Sequence, residues 1–337
     1  MTRASPRRAG TAGRRHCLAA CLMALASPLT ARHALAQPGP WPGKPVRLVV
    51  GLAPGGLADV LARAVQPHLA QALGQPVLVD NRSGAGGNVA GAEVVHNGND
   101  GHTFLLVPST LESVNPSMFS KMPLDPQRDL RPAAQLANSQ LFLFVRASLG
   151  VDTLDAFIAH AKKNPNKLSY GSAGNGTTPH LAAELLKQAS GITAAHVPYR
   201  GVAPAMQDLM AGQIDFAFGP ATLFPMVQAG KLKVLAVASR QRAAVAPEIR
   251  TFVEAGIDGV FADSLFGIYA PAGLRADAIE RFHTELNKVL RRPDIQRRFL
   301  EAGAEAEPLS IADYTARVQA EKRLFSGVVK ALNLKAD

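Results

Sequence analysis

Cysteine is almost missing from this chain: it occurs twice, at Cys17 and Cys21, and both positions lie before residue 37. Everything downstream therefore lacks a disulfide framework, a thiolate nucleophile and a cysteine-ligated metal. Aromatic residues make up 6% of the 337 residues, with a single Trp, which gives nucleic acid few stacking platforms. No apolar run reaches the ~20 residues needed to span a bilayer. Acidic residues are absent from the first 36 positions, where six arginines stand with no lysine. That segment has an arginine-rich start, the apolar run "CLAACLMALASPL", and an A-x-A pair at Ala34 and Ala36. The layout predicts a secretory signal peptide over residues 1–36, cleaved after Ala36, and hence export to the periplasm. "LAAC" at Cys21 opens the apolar run rather than closing it, so it does not serve as a lipidation box. Removing these six of the 36 basic residues lowers the formal charge from +10 to +4. The basic balance belongs largely to the export signal, so nucleic acid and stable membrane insertion are both excluded as partners.

Catalytic templates are lacking too. Ser172 has Tyr170 two positions before it, so no G-x-S-x-G exists there, and the Gly-Lys pairs at 43–44 and 230–231 lack the Ser or Thr of a phosphate loop. "GAGGNV" from Gly84 carries Val89 where a dinucleotide fingerprint needs its third glycine. No histidine pair has metal-ligand spacing. The expectation is a protein with no cofactor, no metal and no enzymatic activity.

What is present is a repeated strand–loop–helix grammar. "KPVRLVVGL", "QPVLVDNR" and "HTFLLVP" read as buried or half-buried strands. After the first comes a helical pattern with Leu57, Val60, Leu61, Ala64 and Val65 in register, and after the second a small-residue helix. Further strands are predicted at "LFLFVRA", "KLSY", "AAHVPY", "IDFAFG" and "KVLAVA", with a helix at "TLDAFIAHAKKN" capped by Asp152 or Thr153. Alternation of this kind argues α/β architecture with parallel sheet. The tail is helical, with Ile279, Phe282, Leu286, Val289 and Leu290 on one face, a Ser310–Asp313 capping pair, and Arg291, Arg292, Arg297 and Arg298 as a solvated surface.

Three loops, "LAPGGLAD", "NRSGAGGN" and "YGSAGNGTTPH", each join a strand to a helix. Glycine permits close backbone approach. A helix start leaves N–H groups unpaired and carries partial positive charge. Such loops gather at the carboxyl ends of strands, where they form anion sites that need no lysine or arginine. His180 lies where it could face ligand or cap its helix. Asp59 reads as a cap or dipole partner rather than a catalytic acid.

The ordered motifs "VRLVVGLAPGGLADVLAR", "VDNRSGAGGNVAGAEVV", "NDGHTFLLV", "LSYGSAGNGTTPHLAAELL", "VPYRGVAPAMQDLMAGQIDFAF" and "GKLKVLAVASRQR" run across nearly the whole chain from Trp41. Together they resemble the tricarboxylate-transporter receptor (Bug) family of periplasmic solute-binding proteins. The resemblance implies a type II periplasmic-binding-protein fold: α/β, two domains around a ligand cleft, joined by crossing strands. The domains would be residues 37–138 plus 240–337, and residues 139–239. It implies a monomer that captures a small organic acid (a di- or tricarboxylate, an acidic amino acid or an aromatic acid), mainly through backbone N–H groups. The acid would pass to a tripartite membrane transporter, or the closed form would dock on membrane sensor subunits; a periplasmic hydrolase is the remote alternative. By position the first jaw would be Pro54, Gly55, Gly56 and Asp59 with Ser109 and Thr110. The second would be Ser172, Ala173, Gly174, Asn175, Gly176, Thr177, Thr178 and His180, then Tyr199, Gly201, Asp215 and Gly219. Gly84 to Asn88 would shape the edge of the sheet. The chain departs from the family pattern at Ala58, where a hydroxyl residue is usual, at Leu265, where Trp is frequent, and at Arg250, a surface change.

Overall fold

A computed structural model describes residues 1, 2, 4, 41–331 and 333–335. The expected signal peptide and its cleavage site lie outside the described residues. From Trp41 onward the chain forms one compact unit built on two sheets. The first has strand order β11-β4-β10-β3-β1-β2 and the second β7-β6-β8-β5-β9. In the first, β1 (Val46–Val50) is flanked in parallel by β2 (Val77–Asn81) and β3 (Thr103–Pro108). The valine- and leucine-rich β1 is buried along most of its length, as a strand covered on both faces must be. In the second sheet β6 (Leu168–Ser172) is flanked in parallel by β7 (Ala194–Pro198) and β8 (Phe216–Gly219).

The expected parallel units are there, but each sheet also carries antiparallel strands. β4 (Leu130–Ser139) pairs antiparallel with β10 (Ser264–Pro271), and β10 with β3. β5 (Phe142–Arg146) runs antiparallel between β8 and β9 (Leu232–Val237), and the short β11 (Glu305–Ala306) closes the first sheet's edge on β4. The chain leaves the first sheet at Ser139, enters the second at Phe142, and returns from Val237 to Ser264. Two crossings therefore join the lobes, the arrangement of a two-domain type II binding fold.

Helices follow the apolar spacing. Helix Leu57–Leu73 buries Leu61, Ala64 and Val65, while Val60, expected on the same face, is exposed. Helix Leu154–Lys163 is capped by Thr153, whose Oγ1 accepts the Ala156 N–H at 3.1 Å. Helix Ala276–Leu290 buries all five predicted positions, with Phe282 stacked on Phe104 at 4.0 Å. Helix Ile311–Ala331 starts at Ser310, whose Oγ accepts the Asp313 N–H at 3.0 Å. Its inner face is divided. Tyr314 and Val318 pack with Val49, Leu105 and Tyr269 of the first lobe; Phe325, Val328 and Val329 join a core that includes Phe157, Leu186 and Phe216 of the second.

Midway along that helix Glu321 is enclosed among Glu112, Asp263, Ser109 and Ser113. Neither carboxyl oxygen has a hydrogen-bond partner of good geometry, although the two serine hydroxyls lie close enough to pull its pKa down. Burial dominates and, with the charges of Glu112 and Asp263, pushes Glu321 up to about 7. A carboxyl raised on folding contributes its stability below its unfolded pKa, near 4.5, and loses it as the pH climbs through about 7. Glu321→Gln is therefore expected to melt higher than wild type at pH 8, by up to about 3 kcal/mol of added stability, and to match it at pH 4, as read by circular dichroism.

Candidate functional site

In the first lobe β1 feeds through Pro54, Gly55 and Gly56 into helix Leu57–Leu73, whose N-cap residue Gly56 supplies no side-chain cap. The loop's own amides are already engaged: Gly55 N donates to Asp59 Oδ2 at 2.9 Å and Gly56 N to Ala53 O at 3.2 Å. Asp59, placed by position in the first jaw and read as a cap or dipole partner, is buried and braces the turn. Its carboxylate accepts the Gly55 amide and Arg63 Nε at 2.9 and 3.0 Å. Burial pushes the Asp59 pKa up, yet the bonds from Arg63, Gly55 and Asn81 outweigh it and hold the acid below its ordinary range. Ala58, the family departure, is wholly buried in the first-lobe core. The N–H groups that helix geometry leaves over are those of Leu57, Ala58 and Asp59, and Leu57 alone of the three is part-exposed.

Ser109 and Thr110 follow β3 and are buried; the Ser109 amide donates to Leu265 O at 2.8 Å. Gly84 to Asn88 follows β2, the edge strand of the first sheet, and also lies beside the first turn. A Cβ on Gly51 would stand 3.3 Å from Gly87 Cα. Asn115 Nδ2 ties this loop down, donating to Gly86 O at 3.1 Å and Asn88 Oδ1 at 2.8 Å. Asn88 Nδ2 stays buried without an acceptor, a donor that the sequence reading had set aside.

In the second lobe β6 ends at Ser172 and the glycine loop leads into helix Thr178–Ser190, whose N-cap residue Thr177 makes no side-chain cap bond. Here too the loop holds itself. Gly174 N donates to Ser172 Oγ at 3.1 Å, Gly176 N to His180 Nδ1 at 3.1 Å, and Thr177 Oγ1 to Gly174 O at 2.7 Å. Ser172 Oγ also lies 2.7 Å from His196 Nε2. His196, on β7, stacks on His180 with ring centres 4.0 Å apart and on Tyr170 at 4.8 Å. Burial drives the pKa of both histidines down to about 4, helped by Lys187 for His180 and by His180 for His196. Both rings are neutral at pH 7. Ala173 is half-buried, and Asn175 forms the exposed tip.

Tyr199 and Gly201 join this loop: the Tyr199 amide donates to Ser172 O at 3.0 Å, and Gly201 caps helix Val202–Met210. The Tyr199 hydroxyl donates to Asp208 at 2.6 Å. Gly219 ends β8 on the same side as Ser172, because β6 and β8 run parallel. Asp215 does not join them. It precedes β8, at the other end of the sheet, where its carboxylate accepts Arg146 Nε at 2.9 Å and the Ser169 amide at 2.8 Å. Its role is structural.

The two lobes meet along these loops. A Cβ on Gly176 would lie 2.8 Å from Met118 Sδ, and Thr178 Oγ1 is 3.4 Å from Ser264 Oγ. Asn115 and Met118 share one short helix, Asn115–Met118, so a continuous chain of contacts runs from the Gly51 turn through the Gly86 loop and this helix to Gly176. A match to the family described as "Tripartite tricarboxylate transporter family receptor" spans residues 61–334. The chain belongs to that family. Protein BugT of Bordetella pertussis is 31% identical over 299 residues, 88% of this chain and 91% of BugT. The structure of R. palustris Rpa4515 with adipate superposes with a TM-score of 0.81 at 31% identity, covering 88% of this chain and 99% of that one. MatC from Rhodopseudomonas palustris with bound malate gives 0.78 at 28% identity, over 86% and 100%.

As a solute-binding receptor this chain shows one contact that resembles catalysis, the Ser172–His196 pair. Ser172 is 1% exposed, and its Oγ already accepts the Gly174 amide. No carboxylate hydrogen-bonds the other nitrogen of His196 among the described residues; Glu184 instead accepts the Tyr170 hydroxyl and Lys187 Nζ. A nucleophile shut away from solvent, with a base that lacks an orienting acid, does not meet the geometry of an activated serine. Among the described residues no helix is long and apolar enough to cross a membrane, and no cluster of three or more His, Cys, Asp or Glu is placed to hold a metal.

Proposed function

We propose that this receptor captures a small carboxylate in the periplasm, between the lobe of residues 37–138 plus 240–337 and the lobe of residues 139–239, for delivery to a tripartite membrane transporter. One observation carries the reading. The starts of helices Leu57–Leu73 and Thr178–Ser190 follow the parallel strands β1 and β6, lack side-chain caps, and belong to lobes that meet through Met118 and Gly176. Two positive helix ends, with loop atoms around them, suit the two ends of a dicarboxylate. The bound adipate and malate of the two relatives agree with that class. The loop glycine amides are occupied within the fold, so the donors available to a guest shift to the helix-start amides near Leu57 and Thr178 and to the Asn88 amide group.

Protein unfolded in denaturant and refolded free of copurifying ligand should show a rise in melting temperature with at least one C4–C6 dicarboxylate, because a ligand that binds only the native state stabilises it by mass action. A thermal scan indifferent to malate, succinate, glutamate, adipate and aromatic acids at millimolar concentration, in protein that has regained its native circular dichroism, would refute it.

A further inference from the structure

The two stacked imidazoles hold alternate amides of one turn. His180 does so directly, by accepting the Gly176 N–H at 3.1 Å. His196 acts at one remove, through Ser172, whose hydroxyl carries a single proton and has two places to send it. One is His196 Nε2 at 2.7 Å; the other is Gly174 O at 3.1 Å. Gly174 O already accepts from Thr177 Oγ1 at 2.7 Å and from the Thr177 amide at 3.3 Å. The shorter and less contested acceptor is the imidazole nitrogen. With its proton committed there, the Ser172 oxygen presents its lone pairs to the Gly174 amide. Gly174 has φ +126 and Gly176 φ +75, conformations that need such bonds to stay fixed, because a glycine turn has little stiffness of its own.

We propose that His196 is a positioning residue of the second-lobe capture loop: with Nε2 unprotonated it accepts the Ser172 hydroxyl, and the resulting Ser172–Gly174 bond, together with the His180–Gly176 bond, fixes the turn that presents Asn175 and the Thr178 helix start to the ligand. The loop's role in capture rests on the functional reading above; the histidine clamp on the turn does not. Protonating either ring undoes it. A proton on His196 Nε2 makes the ring a donor to Ser172 Oγ, and the hydroxyl must then compete with Thr177 for Gly174 O. A proton on His180 Nδ1 expels the Gly176 N–H. The groups facing the pair are Tyr170 and Ser172 from β6 and Glu184 and Lys187 from helix Thr178–Ser190. Glu184 is shared by Lys187 and the Tyr170 hydroxyl, so a second positive ring stacked at 4.0 Å finds no free counter-charge.

Amide hydrogen exchange on the full chain tests the clamp without any ligand. His196→Phe keeps a ring in the stack and removes the acceptor; the Gly174 protection factor is expected to fall at least tenfold while strands β6 and β8 keep theirs. His196→Gln, which can still accept from Ser172, should restore it. In wild type the Gly174 and Gly176 protection factors should fall across about pH 5 to pH 3, and in His196→Gln the Gly174 drop should be absent. Nitrogen NMR of wild type at pH 7 should show the Nδ1–H tautomer of His196, which keeps the test informative should His196→Phe fold poorly. Unchanged Gly174 protection in folded His196→Phe, or an Nε2–H tautomer, overturns the clamp. Calorimetry with malate and adipate then addresses the second half. His196→Phe should bind at least tenfold more weakly than wild type, and equal affinity overturns the link between clamp and capture. Wild type that binds no acid condemns the carboxylate reading and the capture role, and leaves the clamp to be judged by exchange.

Discussion

Gly176→Val is expected to abolish dicarboxylate binding in calorimetry, at least a hundredfold, and to lower the melting temperature by several degrees. Gly176 has φ +75, where an L-residue costs roughly 1–2 kcal/mol and a β-branched one more. Its new Cβ would also stand 2.8 Å from Met118 Sδ of the other lobe and 3.9 Å from Val114 Cγ1. The Met118 side chain can yield, being flexible, but the backbone angle cannot be relieved in the same way. The turn must therefore reorganise, and the Gly176 N–H leaves His180 Nδ1. Gly176→Asn combined with Met118→Ala separates the two effects, since Asn tolerates the left-handed region and the second change clears the space. That pair should keep most of the affinity. A folded Gly176→Val protein that binds as wild type would show that this loop is not part of the site.

Gly267→Ala should have the largest effect on stability. Gly267 lies in β10, held between β3 and β4. A Cβ there would fall 1.6 Å from Tyr314 Oη and 2.5 Å from its Cζ. Tyr314 is fully buried and donates its hydroxyl proton to Tyr269 at 2.7 Å. Neither neighbouring strand can move aside, so the ring must leave, and with it the first turns of helix Ile311–Ala331. Expelling a buried aromatic costs roughly 3–5 kcal/mol, and calorimetric melting should fall by about 10 °C. Tyr314→Leu in the same background should recover part of the loss. A Gly267→Ala protein melting within a degree of wild type would refute this packing.

Most of the secondary structure could be read from the sequence because its apolar pattern is local. β1, β3 and helix Ala276–Leu290 follow their periodicities closely, and the caps at Thr153 and Ser310 are set by residues three apart. Strand β4 escaped notice: "LRPAAQLANS" lacks a run of β-branched residues, and it becomes a strand by pairing along β10 while helices Ala276–Leu290 and Ile311–Ala331 pack against it. The strands β5 and β9 were read at "LFLFVRA" and "KVLAVA", but the antiparallel pairing in each sheet was not foreseen. It comes from the two crossings between lobes, which pair partners 71 to 169 residues apart.

Much the same holds at the site. The three glycine loops and the list from Pro54 to Gly219 came from motifs, and the structure sets the Gly55, Gly176 and Tyr199 segments at strand ends as expected. Asp215 was misplaced because "DFAFG" gives no sign of which end of the strand faces the cleft. His196 was overlooked because its partners are Ser172, 24 residues earlier, and the ring of His180. Its pairing position opposite Tyr170 appears only once β6 and β7 lie side by side.

The sequence alone determined the α/β class, the helix and strand boundaries near strong patterns, and, through six ordered motifs, the family. These depend on composition and short-range spacing, which a linear chain carries openly. Tertiary structure alone decided which amides are free, which carboxylates brace loops rather than bind, how the last helix joins both lobes, and how two histidines come to share one turn. Those outcomes rest on contacts between distant segments, and such contacts exist only after folding has brought the segments together.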